Sequence, residues 1–245
     1  MPRLGSISSI PLTGIGISVP VINAGAVYER VTSTTITLGT GVTQSASIKK
    51  FGTSSLQFDG TGSIGWSNTG GTGLLSYNGA NGYTIETWVN LNTTAAGNKS
   101  MFYLAGSSPT NQYITNFHAV PGDGTQFDIY AGGPSLAVEP TILMGTTMYN
   151  TWVWLVIQFK GQELYVWVNG TQVSASTTGI YNAGATQTNQ KTSLTVGSSF
   201  FGGWKGYMDD FRVSSGYRYS SGSTSITVPS SKISADGTTL VLIQT

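Results

Sequence analysis

The chain has 245 residues, of which 39% are hydrophobic, enough for one large packed core. Only 9% are charged, against roughly 25% in an ordinary globular protein, the net charge is +1, and no basic run exceeds Lys49-Lys50, so nucleic acid and anionic membrane are excluded as partners. Cysteine is absent, which removes disulfides, thiolate metal sites and cysteine nucleophiles.

Residues 1–30 scatter Ile7, Ile10, Leu12, Ile15, Ile17 and Val19 among Ser, Gly and the prolines Pro11 and Pro20. Proline cannot donate to a ladder, so this segment is expected as an extended arm that grips a partner or lies back as an edge strand, ahead of a folded unit over 31–245. Met1 to Gly5 does not open a signal peptide, and no segment approaches the ~18 apolar residues of a membrane span, so neither export nor insertion is expected.

From Thr32 onward the apolar period is two. Thr34 to Leu38 is β-branched, and Ser54 to Phe58 alternates before Asp59-Gly60-Thr61-Gly62 turns the chain. Thr84 to Asn90 sets Ile85, Thr87 and Val89 on one face and Glu86, Trp88 and Asn90 on the other, as in a strand with one face in the core and one over a groove. Thr151 to Phe159 turns through Lys160 to Glu163 and returns as Leu164 to Val168, ending at Asn169-Gly170, the strongest short-range hairpin signal. Leu155, Ile157, Val166 and Val168 are predicted to face the core. Further strands are expected at Thr171 to Ser174, Ser193 to Val196, Tyr207 to Val213 and Thr239 to Ile243. No segment carries a helical stripe, and the pattern predicts an all-β, two-sheet antiparallel sandwich or jelly roll.

Three stretches, taken in order, carry a family resemblance. They are Lys50 to Gly60 with Tyr83 to Val89; Trp152 onward with its return from Leu164 to Gly170; and Gly206-Tyr207-Met208-Asp209-Asp210-Phe211-Arg212-Val213, continuing through Gly216-Tyr217-Arg218-Tyr219 to Val228-Pro229. Together they resemble the laminin-G-like branch of the concanavalin A-like lectin and glucanase superfamily. The last stretch, with Ala235 to Leu240 closing it, is most similar to the versions found in tailed-bacteriophage virion proteins. The resemblance implies a lectin-like sandwich on a non-enzymatic particle component, whose partners are other virion proteins and copies of itself, with the virion as its location.

Glycoside hydrolysis needs two carboxyl groups about 5 to 9.5 Å apart, and the resemblance implies that glucanases of this superfamily place theirs at alternate positions of one strand. No strand here has such a pair. Glu86 is alone on its strand, and the adjacent Asp209 and Asp210 are expected to point to opposite faces. His118 is the only histidine, too little for a multi-histidine zinc site or a hydrolase triad. No cofactor is expected, and the one metal the resemblance implies is calcium. Asp59, Asp209 and Asp210 are its candidate ligands; the competing reading has them accept backbone N–H bonds at strand ends, and Ser63 stands where an acidic residue is usual after the Phe-Asp-Gly turn.

Sugar recognition by a sandwich uses aromatic faces against pyranose rings. Trp66, Tyr77, Tyr103 and Trp204, in or beside Gly- and Asn-rich loops, are the candidates for facing a glycan or a neighbouring subunit, whereas Trp152, Trp154 and Trp167 read as core or sheet-face packing. Two functions follow: a virion surface component, on head, tail or fibre, anchored through the arm; or a carbohydrate-binding adhesin module for a host envelope glycan.

Overall fold

The computed structural model describes residues 27–29, 34–68, 75–76, 82–92, 99–106, 114–119, 126–132, 141–160, 163–174, 190–197, 202–220 and 222–245. The expected arm, with Ile7, Ile10, Leu12, Ile15, Ile17 and Val19, lies outside the described residues except for its last few positions. Every regular element described is a strand: β1 (Val27–Glu29), β2 (Thr34–Leu38), β3 (Val42–Ser45), β4 (Ser55–Asp59), β5 (Ile64–Asn68), β6 (Leu75–Ser76), β7 (Tyr83–Leu91), β8 (Lys99–Gly106), β9 (Ile114–Ala119), β10 (Gln126–Gly132), β11 (Thr141–Leu143), β12 (Val153–Lys160), β13 (Glu163–Val168), β14 (Thr171–Ser174), β15 (Gln190–Val196), β16 (Lys205–Ser215) and β17 (Thr239–Ile243).

They form two antiparallel sheets. The front sheet runs β1-β17-β16-β7-β12-β13-β14, with β4 also paired to β16 and β3 to β4; the back sheet runs β11-β10-β9-β8-β15-β5-β2, with β6 on β15. The main core fills the space between them. Leu56, Phe58, Ile85, Val89, Leu155, Ile157, Val166, Val168, Met208 and Phe211 come from the front sheet and meet Ile64, Phe102, Phe127, Leu194 and Val196 from the back. The four predicted hairpin residues are therefore inward, in the register Leu155 with Val168 and Ile157 with Val166. Asn169 and Gly170 close the next turn at φ 48° and 82°, the left-handed pair that matches strand twist. A Cβ at position 170 would also lie 2.6 Å from the Ile226 carbonyl, so only glycine fits.

The expected groove on the far side of β7 is closed along most of its length: all nine residues of the strand are buried. A second hydrophobic layer covers the outer face of the front sheet. Trp88, Trp154, Val156, Tyr165, Trp167 and Leu242 project outward, and Phe51, Tyr219, Ile226, Val228 and Ile233 pack over them. Most of that cover is the segment 216–238, a strap with little regular pairing of its own, tied down where Ile226 N donates to Gly170 O and Trp167 Nε1 to Ser223 O. Period-two alternation gives the two faces of β7; a non-repetitive strap leaves no periodicity by which to see that most of the second face is covered.

Ile157 is fully buried in the main core. Replacing it with alanine should cost about 2 to 5 kcal/mol through lost burial and an unfilled cavity, measured as a shift in the urea midpoint at constant slope.

Candidate functional site

The chemistry-bearing side chains gather on the outer face of the front sheet, beneath the strap. Pairing across β16, β7 and β12 sets Arg212 beside Glu86 and Val156. Glu86 is the one carboxylate of β7, as expected; it is 0% exposed and its partners come from other elements. Arg212 Nε and Nη2 reach its Oε2 at 2.6 and 2.5 Å. Arg218 Nε lies 3.3 Å from the same oxygen, and the Tyr219 hydroxyl donates to Oε1 at 2.6 Å. Arg212 Nη1 also donates to Ser234 O, and Arg218 Nη1 to Asp236 Oδ2. Both carboxylate oxygens are thus occupied by cations or a phenol drawn from β16 and the strap. Burial, and then the Glu86 carboxylate, push the Tyr219 phenol far above its ordinary range, the wrong direction for a nucleophile. Burial pushes Asp236 upward, but hydrogen bonds from Thr238 and Arg218 outweigh it and hold the carboxyl well below the usual range.

Asp209 and Asp210 do not point to opposite faces. β16 carries an irregularity here: Asp209 pairs with Trp88 but Arg212 with Glu86, so Asp210 and Phe211 together stand opposite Thr87, with Asp210 at φ 52°. This bulge turns both carboxylates outward. Asp209 Oδ2 accepts from Lys50 N and Phe51 N at 3.3 and 3.1 Å, while Asp210 Oδ2 accepts from Ile233 N at 3.1 Å and its Oδ1 from Gln244 Nε2. Each aspartate clamps one covering segment. Burial raises both pKa values, that of Asp210 to about 6.

Asp59 sits apart at the end of β4, where its Oδ1 accepts from Thr61 N and Oγ1 and Gly62 N, bonds that lower its pKa. All three candidate calcium ligands therefore hold turns or segments. Among the described residues no three His, Asp or Glu side chains come together as a metal group.

The candidate aromatics scatter. Trp204, read from sequence as a loop aromatic facing a ligand, is instead 0% exposed in the main core, because the chain folds back there and Trp204 N donates to Gly197 O. Tyr103 is on β8, half-buried, with its phenol pKa raised by burial. Trp66 is on β5 in register with Leu194, and its side chain lies outside the described residues, as does Tyr77 entirely. His118 is mid-strand in β9, opposite Asp128 of β10 and Ser100 of β8. Sequence reasoning passed over Arg212, Arg218 and Tyr219 as partners of Glu86, although the Phe-Arg-Val and Tyr-Arg-Tyr motifs that carry them were part of the resemblance.

The model of the concanavalin A-like lectin and glucanase superfamily matches residues 58–221. No characterised protein matches the chain by sequence. Among solved structures, domain 4 of the arabinanase AbnA from Geobacillus stearothermophilus, in complex with arabinotriose, is similar at 15% identity and TM-score 0.52, covering 75% of this chain and 82% of that one. The binding domain of botulinum neurotoxin serotype D is similar at 9% identity and TM-score 0.56, covering 80% of this chain and 47% of that one. The enzymatically active domain of tailspike protein 2 of bacteriophage CBA120 is similar at 12% identity and TM-score 0.55, covering 76% of this chain and 29% of that one. At these identities the likeness is one of fold.

Two outcomes follow from the outer face. Arg212→Met leaves the Glu86 charge buried with a weaker partner and should destabilise by about 3 to 5 kcal/mol in denaturant unfolding. Asp210, with a folded pKa near 6 against 3.8 unfolded, is ionised at a cost above pH 6, a cost relieved as pH falls from 6 towards 4. Melting temperature should therefore rise between pH 7.5 and 5.5 by the equivalent of about 1 kcal/mol, and Asp210→Asn should flatten that rise.

Proposed function

This chain belongs to the concanavalin A-like lectin and glucanase superfamily, and we propose that it is a non-enzymatic, lectin-like module of a bacteriophage particle that attaches to saccharide on the host surface. One observation carries the non-enzymatic part. Glu86, the carboxylate at the centre of the front sheet, has both oxygens engaged by Arg212, Arg218 and Tyr219 and lies under the strap, so it has neither a free proton site nor a path to a glycosidic oxygen. A sandwich without that chemistry is suited to binding.

The particle setting is supported by the likeness of the segment from Gly206 to Pro229 to phage virion proteins, and by the presence of this fold within a phage tailspike. The saccharide is supported by the same fold in an arabinotriose-bound domain. Residues 1–30 serve in this reading as an arm through which Ile7, Ile10, Leu12, Ile15, Ile17 and Val19 meet other virion proteins or further copies of the chain. The virion is the proposed location.

On an array of neutral and acidic bacterial surface oligosaccharides the chain should retain at least one glycan and release no reducing ends from it. A blank array overturns the recognition role. Sustained release of reducing ends, lost on Glu86→Gln, overturns the non-enzymatic one.

A further inference from the structure

The strap and the Phe51 loop do not cover the whole outer face of the front sheet. Their hydrogen bonds and ring contacts reach Trp167, Gln158, Arg212 and Asp210, and stop at Trp88, where Phe51 packs edge-on and Lys50 Nζ lies 3.9 Å from the ring centroid. One row further along, pairing aligns Thr43 of β3, Gln57 of β4, Tyr207 of β16 and Asn90 of β7 on the same face. Trp152 continues this row, one residue ahead of Val153, which pairs with Val89. Thr43 is exposed and Gln57, Tyr207 and Trp152 are half-buried, so the row is open to solvent at its rim. Its floor is not satisfied among the described residues: Asn90 is 4% exposed and its Oδ1 has no hydrogen-bond partner there, and in the adjoining row the Nε1 atoms of Trp88 and Trp154 are buried without partners among those residues as well.

We infer that this row is a saccharide-binding subsite, with Tyr207 and Trp152 as its aromatic walls and Asn90 at its floor, and that its ligand is a neutral oligosaccharide laid across β3, β4, β16 and β7. A buried acceptor wants a donor and a buried indole N–H wants an acceptor; a sugar hydroxyl is both at once, and the ring that carries it has an apolar face to set against Tyr207 or Trp152. The row holds no charge. In the next row outward Asp59 of β4 is in register with Lys205 of β16, so the two signs offset, and on the inner side the Lys50 cation is set against the Trp88 ring, an arrangement that favours a neutral sugar over a phosphate or an acidic one. Trp152 packs against the outer cluster while remaining half-buried, so it borders the row opposite Asn90.

This inference rests on the proposed glycan recognition and deepens it by assigning the place and the class of sugar. The test titrates neutral arabino-, gluco- and galacto-configured trisaccharides, with uronic acid counterparts, into the full chain and its variants by calorimetry. Tyr207→Ala and Gln57→Ala should each weaken the tightest neutral ligand at least tenfold with the melting temperature unmoved, and Asn90→Leu should abolish binding. Tyr103→Ala, on the back sheet, should change nothing. Binding unaltered in Tyr207→Ala and Gln57→Ala, lost in Tyr103→Ala, or confined to uronic acids overturns this subsite while leaving glycan recognition standing. Absence of any glycan binding by the unaltered chain overturns both.

Discussion

A single buried carboxylate organises the outer half of this molecule. Glu86 stands at the middle of the front sheet on the face away from the main core, and a bare charge there would be untenable. Arg212 arrives from the neighbouring strand, Arg218 and Tyr219 from the strap, and Arg212 reaches on to Ser234 in the same strap. The counter-charges thus come attached to the segment that must lie over the tryptophan layer. Ion pairing and hydrophobic cover are one event: without the strap Glu86 is under-compensated, and without Glu86 Arg212 loses the carboxylate it is paired with while Arg218 keeps only Asp236. Asp209 and Asp210 repeat the device on a bulge, each holding the backbone of one covering segment.

The sandwich itself was legible because its information is local. Period-two alternation fixed the two faces of β7, β12 and β13, and Asn169-Gly170 announced its turn by chemistry that few other residues can perform. The second layer was not legible. Residues 216–238 contribute Ile226, Val228 and Ile233 at irregular spacing, and their burial depends on meeting Trp88, Trp154 and Trp167 from far along the chain. The direction of Asp210 was hidden for a related reason: strict alternation predicts opposite faces for neighbours, and a bulge breaks alternation at one residue without a mark in the sequence beyond an aspartate that tolerates positive φ.

The site was the least legible part. Loop aromatics were the natural candidates for a sugar, yet Trp204 is core, and the row that offers unsatisfied polar atoms is built from strand residues, Tyr207, Asn90 and Gln57, assembled only by cross-strand register. Trp152 reads in sequence as one more sheet tryptophan; it stands just before β12 and is half-buried at the edge of the outer cluster. Strap and proposed subsite are therefore complementary: the strap sets how much of the front sheet's outer face is left uncovered, and the Glu86 network holds the strap.

Amide hydrogen exchange on Glu86→Gln measures that dependence most directly. In the unaltered chain the strap amides of Tyr219, Ile226 and Ile233 are held by Gln158, Gly170 and Asp210. Glu86→Gln should lower their protection at least tenfold while Leu155 and Ile157 of β12 keep theirs. Strap amides as protected in Glu86→Gln as in the unaltered chain, or a loss spread evenly over strap and inner sandwich, would contradict it.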